Sequence, residues 1–267
     1  MTSSRSHFWH SAYSYGVLTL GRYPPIHPSL HRIKICAHRG ASGTHPENTL
    51  VAFRQAIEIG CEMIEFDLRL SADGQVVVIH DANIDRTTDG TGHTPDLTLE
   101  QLRALDAGSW YGAVFAGERI PTLIEVLDCT PPRVELNIHV KEGSGHRDIL
   151  ATLEGELRSR SRFQSAFISG SEELVADAGT HHPALRRCLL PGSRHGRLVE
   201  RAIRAGCCAI QPSARLTTSD LVHRAQAAGL RVHPYFADDE SETRRLAMCG
   251  VDAILTNHPA RLLALRT

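Results

Sequence analysis

The sequence predicts an α/β fold, a (β/α)8 TIM barrel with a small insertion after the second strand, and three observations carry that assignment. The 267 residues match the roughly 250 of a single barrel of this kind. From Ile33 onward, apolar runs of strand length alternate with helical patterns, as repeated βα units require. No GxGxxG follows the first of these runs, so an open dinucleotide-type sheet lacks its fingerprint.

The elements follow in order. Ile33 to Ala37 reads as the first strand, ending in the loop His38-Arg39-Gly40-Ala41-Ser42-Gly43. Pro46 marks a helix start, with Leu50, Phe53 and Ile57 on one face and Gly60 closing it. The second strand, Met63 to Leu70, turns at Ala72-Asp73-Gly74 and returns as Gln75 to His80, a hairpin that brings His80 back to the rim. An insertion rich in Thr, Gly and Asp follows at about 81–119, with a helical piece around Leu99 to Leu105. Pro121 to Leu127 starts another helix, and Arg133 to Val140 is the third strand. Further strands are expected at 165–168, 186–190, 207–210, 230–235 and 251–256, with helices at 171–178, 196–205, 217–228, 239–248 and 259–265. With the hairpin counted in the second strand, this makes eight strand positions.

Composition excludes several classes. With 29 basic and 30 acidic side chains the formal net charge is -1, without the basic surplus of a nucleic-acid-binding surface. Apolar runs such as Val76-Val77-Val78-Ile79 fall far short of the about 20 residues of a membrane span. The seven cysteines are scattered and show no CxxC spacing, which argues against a disulfide framework or zinc ribbon and for a reducing, cytoplasmic location. Adjacent Cys207 and Cys208 are expected to pack as small apolar residues. Residues 1–46 hold no acid but include Arg5, Arg22, Arg32, Lys34 and Arg39, a composition a transit peptide can share. Pro24, Pro25 and Pro28 break any amphipathic helix there, so residues 1–31 read as a loosely ordered tail and 32–267 as the barrel domain.

Catalytic side chains of such barrels sit at the C-terminal strand ends, and residues two apart on a strand share a face. On the second strand Ile64, Phe66 and Leu68 face the helices, leaving Glu65 and Asp67 inward. Two steps of about 3.3 Å separate them, close enough to converge on one hard divalent cation. The alternative is a pair neutralised by Arg69 or another basic group, because unpaired buried carboxylates are costly. On the third strand Val134, Leu136, Ile138 and Val140 face outward, so Glu135, Asn137, His139 and Lys141 face inward. Only Lys34 and Lys141 are lysines in a chain otherwise reliant on Arg, which favours a demand for a compact ammonium at Lys141. His38 and His80 each end a strand, and a pair of imidazoles can accept one proton and donate another. Arg39 offers a planar fork for phosphate oxygens. These parts suit phosphodiester cleavage.

The segments His38-Arg39-Gly40, Pro46-Glu47-Asn48-Thr49, Glu65-Phe66-Asp67 and His80-Asp81 resemble the glycerophosphodiester phosphodiesterase family. So do Arg86 to Gly92, Leu105-Asp106-Ala107-Gly108-Ser109-Trp110, Gly117 to Leu123 and, more weakly, Asp252 to Pro259. The resemblance covers about residues 33–265 and lies in the order and spacing of the series. It implies a barrel with an insertion after its second strand and hydrolysis of a small-molecule glycerophosphodiester to glycerol 3-phosphate and an alcohol. It further implies one divalent metal ion, Mg2+ or Ca2+. Carried over by position, His38 and His80 are the acid–base pair, Arg39 and Lys141 bind phosphate, Glu65 and Asp67 bind metal, and Glu47 and Asn137 support the site. An acid after Pro46 could instead simply complement a helix start.

Three positions depart from the family pattern. Where the third strand of the family reads Asn-x-Glu-x-Lys, this chain has Asn137-Ile138-His139-Val140-Lys141. His139 then stands as the third metal ligand and lowers the ligand charge from about -3 to about -2, weakening the pull on a hard cation. Imidazole favours Mn2+ or Zn2+ over Ca2+. The Trp that often lines the pocket is absent from Val232 to Asp239, leaving Tyr235 or Phe236 in its place, and Asn257 replaces a frequent Asp. Two other readings stay open: a phosphodiester-binding barrel with lost or altered catalysis, and lysophospholipase D activity, which needs an apolar mouth.

Overall fold

Alternation along one strand organises the molecule. In β2 (Met63–Leu70) Ile64, Phe66 and Leu68 join an apolar layer with Phe53, Leu136, Ile138 and Leu153, while Met63 packs with Cys36, Phe167 and Cys188 inside the barrel. Full burial of a side chain such as Phe66 stabilises by about 1.5–3 kcal/mol. A register slip of one residue would carry Glu65 and Asp67 into the outer apolar layer, so the pattern specifies the pairing.

The computed structural model describes residues 30–141, 143, 145–192 and 196–266. The expectation of a loosely ordered tail at 1–31 falls outside them, except for Leu30 and His31. Leu30 opens a 3-10 turn and is buried among Ile33, Ile35 and Leu262, so packing begins two residues before the expected domain start.

Eight strands run parallel. They are β1 (Lys34–His38), β2, β4 (Glu135–Val140), β5 (Ala166–Gly170), β6 (Arg187–Leu189), β7 (Ala209–Ile210), β8 (Arg231–Val232) and β9 (Ala253–Thr256). Their order around the sheet is β8-β7-β6-β5-β4-β2-β1-β9, and β3 (Val76–Val78) pairs antiparallel with the end of β2. Pro234 has no N–H to give, which truncates β8. The chain nonetheless closes the barrel through a parallel bridge from Tyr235 to Leu255 and the bond from Leu255 N–H to the Pro234 carbonyl, 3.0 Å. The expected strand 230–235 is therefore two regular residues and a bridge.

The helices are α1 (Leu50–Glu58), α2 (Leu99–Ala104), α3 (Leu123–Cys129), α4 (His146–Ser159), α5 (Glu172–His181), α6 (Leu198–Arg204), α7 (Ser219–Ala227), α8 (Glu240–Cys249) and α9 (Pro259–Ala264). Thr49, and not Pro46, caps α1: its hydroxyl accepts from Ala52 N–H and donates to the Pro46 carbonyl. The helix thus begins four residues after Pro46, and Glu47 stands in the preceding turn, outside the reach of a helix dipole. Helix α4 fills a stretch to which the sequence pattern above assigns no element. It buries Ile149, Leu150, Leu153 and Leu157 but starts on Gly145 with no capping side chain, so the usual start signal is missing. The insertion packs on the hairpin in a small core of Val77, Ile79, Ile84, Leu102, Ala107 and Ile120. Cys207 and Cys208 pack against opposite layers, one toward the helices and one toward the barrel interior. All seven cysteines are free, and no helix among the described residues is long and apolar enough to cross a membrane.

Candidate active site

Parallel pairing stacks the strand ends at one rim. The register sets Glu65 beside His38 on β1 and Asp67 beside His139 on β4. The hairpin returns the chain so that Arg69 Nε–H donates to the His80 carbonyl at 2.9 Å; Arg69 makes no ion pair within 4 Å with either carboxylate, and the cations beside Asp67 are Arg39 and Lys141. A cavity of about 210 Å3 opens there, lined by His38, Arg39, Glu65, Asp67, His80, His139 and Lys141 together with Leu190, Gln211, Tyr235, Phe236 and Leu255. A larger hollow of about 410 Å3 at the opposite pole, lined by Arg32, Lys34, Arg231 and Asp252, contains no paired histidines or carboxylates.

Glu47 and Asn137 do not line the cavity. Glu47 stands behind Arg39, accepting from its Nη1 at 2.7 Å and from both terminal nitrogens of Arg86 at 2.9 and 2.8 Å. Asn137 lies below the floor, buried, donating to Gln211 Oε1 at 2.7 Å. Arg39 is the hub of the rim. Its Nε lies 3.1 Å from His38 Nε2 and 3.3 Å from Asp67 Oδ2, and its backbone N–H donates to Glu65 Oε2 at 3.1 Å. Its left-handed backbone, φ 54°, is uncommon for a residue with a side chain, and costs of order 1–3 kcal/mol that the surrounding bonds must offset.

The two histidines differ in setting. Burial, seconded by the Arg39 charge, lowers the His38 pKa to about 4, so the ring is neutral near pH 7. His80 is better hydrated, its side chain 31% exposed against 11% for His38. Burial lowers its pKa while the Asp67 charge opposes this. Asp81 accepts from His80 Nδ1 at 2.6 Å and is itself held by Arg86.

Glu65, Asp67 and His139 place one ligand atom each within 4.8 Å of one another. Asp67 is wholly buried and its Oδ1 accepts no well-aligned hydrogen bond, although Lys141 Nζ lies 2.9 Å away and His139 Nδ1 3.2 Å. Burial and the neighbouring Asp67 charge push the Glu65 carboxyl well above the usual carboxylate range. At Asp67 burial acts upward too, but the adjacent His139 ring and the charges of Lys141 and Arg39 outweigh it and hold the carboxyl low. Two buried carboxylates that resist joint ionisation, with an under-coordinated oxygen and an imidazole beside them, fit a divalent cation.

Several contributors escape the sequence reading. Asn48, itself left-handed at φ 56°, donates through Nδ2 to Asp67 Oδ2 at 2.9 Å and fixes that carboxylate. Asp238 accepts from the backbone and side chain of Asn257. Neither residue could be placed without the loop geometry. Tyr235 and Phe236 both reach the cavity, and the Phe236 ring lies 4.3 Å from that of His38.

Comparison with known proteins agrees with the fold. The chain is 35% identical over 242 residues to a glycerophosphodiester phosphodiesterase of Caldanaerobacter subterraneus, covering 86% of this chain and 96% of that protein. It is 31% identical to one of Bacillus subtilis, covering 85% and 84%. Among solved structures, a phosphodiesterase of Oleispira antarctica in complex with the product sn-glycerol-3-phosphate superposes with a TM-score of 0.80 at 28% identity, covering 88% and 97%. A glycerophosphodiester phosphodiesterase of Agrobacterium tumefaciens gives 0.78 at 29%, covering 87% and 99%. The family model for glycerophosphoryl diester phosphodiesterases matches residues 38–261, a span that contains both rim histidines, the paired carboxylates and the insertion. The chain belongs to the glycerophosphoryl diester phosphodiesterase family, enzymes that hydrolyse glycerophosphodiesters.

Proposed function

We propose that the enzyme hydrolyses glycerophosphodiesters to glycerol 3-phosphate and an alcohol in a metal-dependent reaction, with His38 and His80 as acid–base pair. The observation that carries this reading is the convergence of two histidines, two cations and a carboxylate–imidazole triad on one cavity. Glu65, Asp67 and His139 would hold the divalent ion, which when bound would polarise the phosphoryl group and offset its charge. Arg39 and Lys141 hold the phosphate oxygens: Arg39 as a fork already braced by Glu47, Lys141 as a compact ammonium.

Neutral His38 takes the proton from the attacking hydroxyl: attack by a water gives glycerol 3-phosphate directly, and attack by the substrate glycerol hydroxyl gives a cyclic phosphate that a water then opens. His80, with Asp81 at its far nitrogen, gives a proton to the departing oxygen. With imidazole as third ligand, the site favours Mn2+ or Zn2+ over Ca2+. The exposed Phe236, with Leu190 and Tyr235, gives the cavity an apolar wall that supports lysophospholipase D activity as a second reading. Seven free cysteines support a reducing, cytoplasmic setting.

The test is turnover of glycerophosphocholine, glycerophosphoethanolamine and lysophosphatidylcholine by the wild type and by His38→Ala and His80→Ala. Each variant is expected to lose about 10²–10⁴-fold in kcat while keeping its circular dichroism spectrum. Binding of diester by the wild type without turnover would instead support a barrel that binds and no longer cuts.

A further inference from the structure

The ring of His38 is held by a chain of side chains that the reaction itself does not use. His38 ends β1, Asn257 directly follows β9, and Asp238 lies on the loop after the shortened β8, so three adjacent strand ends contribute one group each. His38 Nδ1 and Asn257 Oδ1 are 2.7 Å apart. Asn257 Nδ2 donates to Asp238 Oδ2 at 2.7 Å, and Asp238 Oδ1 accepts from the Thr256 hydroxyl and from Asn257 N–H, both at 2.8 Å. Ser42 Oγ donates to the same Asn257 oxygen at 3.0 Å.

These contacts allow one arrangement of protons. An ionised carboxylate is acceptor-only, so the side-chain group of Asn257 facing Asp238 must be its NH2. Hydrogen bonds from Asn257 hold the Asp238 carboxyl below its usual range against the effect of burial. The amide oxygen then necessarily faces His38, and an oxygen without a hydrogen can only accept. Nδ1 must therefore carry the imidazole proton, which leaves the lone pair of the neutral ring on Nε2. That nitrogen faces the cavity, where Arg39 Nε–H points at it from 3.1 Å and Glu65 Oε2 lies 3.8 Å away. An arginine is always a donor, so the contact at the other nitrogen matches this tautomer.

We propose that Asp238 and Asn257 are positioning residues that act through each other to hold His38 in its Nδ1–H tautomer, with the Nε2 lone pair turned to the cavity, where it accepts the substrate proton in place of the Arg39 N–H. The inference rests on the proposed role of His38. It goes beyond that role in assigning the orientation of the base to an amide whose own orientation is dictated by a carboxylate one step further out. An amide in this place does the directing without setting a second negative charge against the ring.

The test exchanges the two groups. In Asp238→Asn the outer group no longer demands an NH2, so the Asn257 amide is free to turn and present a donor to Nδ1. In the double variant Asp238→Asn with Asn257→Asp, a carboxylate oxygen again accepts from Nδ1 and the new amide at 238 can hold it, at unchanged net charge. Long-range proton–nitrogen NMR of the folded protein labelled in histidine, assigned with His38→Gln, reads the tautomer without any turnover. The wild type and the double variant are expected to show the Nδ1–H form, and Asp238→Asn a mixture. With glycerophosphocholine, Asp238→Asn is expected to lose about 10–100-fold in kcat with KM changed less than about 3-fold, and the double variant to recover most of the loss. An unchanged tautomer in Asp238→Asn overturns the inference, whatever the activity. A changed tautomer with undiminished kcat overturns its catalytic consequence. If the wild type proves inactive, the reading of His38 as a base fails, and the spectra alone still decide the orientation.

Discussion

Arg39 touches more of the site than any sequence pattern could show. Its guanidinium bridges Glu47, Asp67 and the open nitrogen of His38, and its backbone N–H holds Glu65. A lysine would keep the charge but offers one nitrogen where the site uses two at fixed separation. Arg39→Lys is therefore expected to lower kcat/KM for glycerophosphocholine by about 10–10²-fold, roughly the strength of one or two charge-assisted hydrogen bonds at about 1.5–3 kcal/mol each. Melting temperature should change little, and steady-state kinetics beside a thermal melt would separate the two. At this scale the sequence shows which residue types converge, because strand alternation places Glu65, Asp67, His139 and Lys141 on one face. It does not show Asn48 on Asp67, Asp81 behind His80 or Asp238 behind Asn257. Those bonds join loops whose paths depend on backbone turns such as the left-handed Arg39 and Asn48.

Strand β4 is the element that ties the two poles of the barrel together. Its inward residues pass from Glu135 at the N-terminal end, through Asn137, to His139 at the catalytic rim. Glu135 is buried and collects Lys34, Arg186 and Arg231 at 2.8, 3.4 and 2.9 Å. Burial alone would raise its carboxyl, but the hydrogen bonds and charges of Arg231 and Lys34 bring it from 4.5 to about 2. A carboxyl depressed on folding stabilises the native state above its unfolded value, and the contribution fades as pH falls toward the folded value. Glu135→Gln is expected to cost about 1–3 kcal/mol at pH 7, discounted because Lys34 and Arg231 are partly hydrated. The difference from wild type should shrink steadily below about pH 4.5. Urea titrations at several pH values check this, and a difference that stayed constant or grew would contradict it. The elements themselves were largely readable, since the apolar alternation of β2 and β4 and the turns of the hairpin are local. Helix α4 was not, although Ile149, Leu150, Leu153 and Leu157 carry its stripe, because glycines at its start supply no cap. The start of α1 differs from the expectation for a related reason: Pro46 belongs to the turn that Thr49 locks, and not to the helix.

For the whole molecule, a chain of near-neutral charge concentrates ionised groups at both ends of an apolar-walled barrel. One end is a set of ion pairs around Glu135. The other is a cavity where Arg39 and Lys141 face two buried carboxylates. His139 sits in that cavity with Nδ1 3.2 Å from Asp67 Oδ1 and 3.0 Å from Lys141 Nζ. It therefore decides how the central claim is best tested. Protein stripped with a chelator would receive Mg2+, Ca2+, Mn2+ or Zn2+ separately, with bound metal and glycerol 3-phosphate release from glycerophosphocholine measured on the same samples. Release is expected to be metal-dependent and highest with Mn2+ or Zn2+, with weakened metal binding in His139→Ala and a shift toward Ca2+ or Mg2+ in His139→Glu. Highest release with Ca2+, together with undiminished metal affinity in His139→Ala, would contradict the assignment of His139 as a ligand. No release from folded protein with any of the four metals would contradict the proposed reaction.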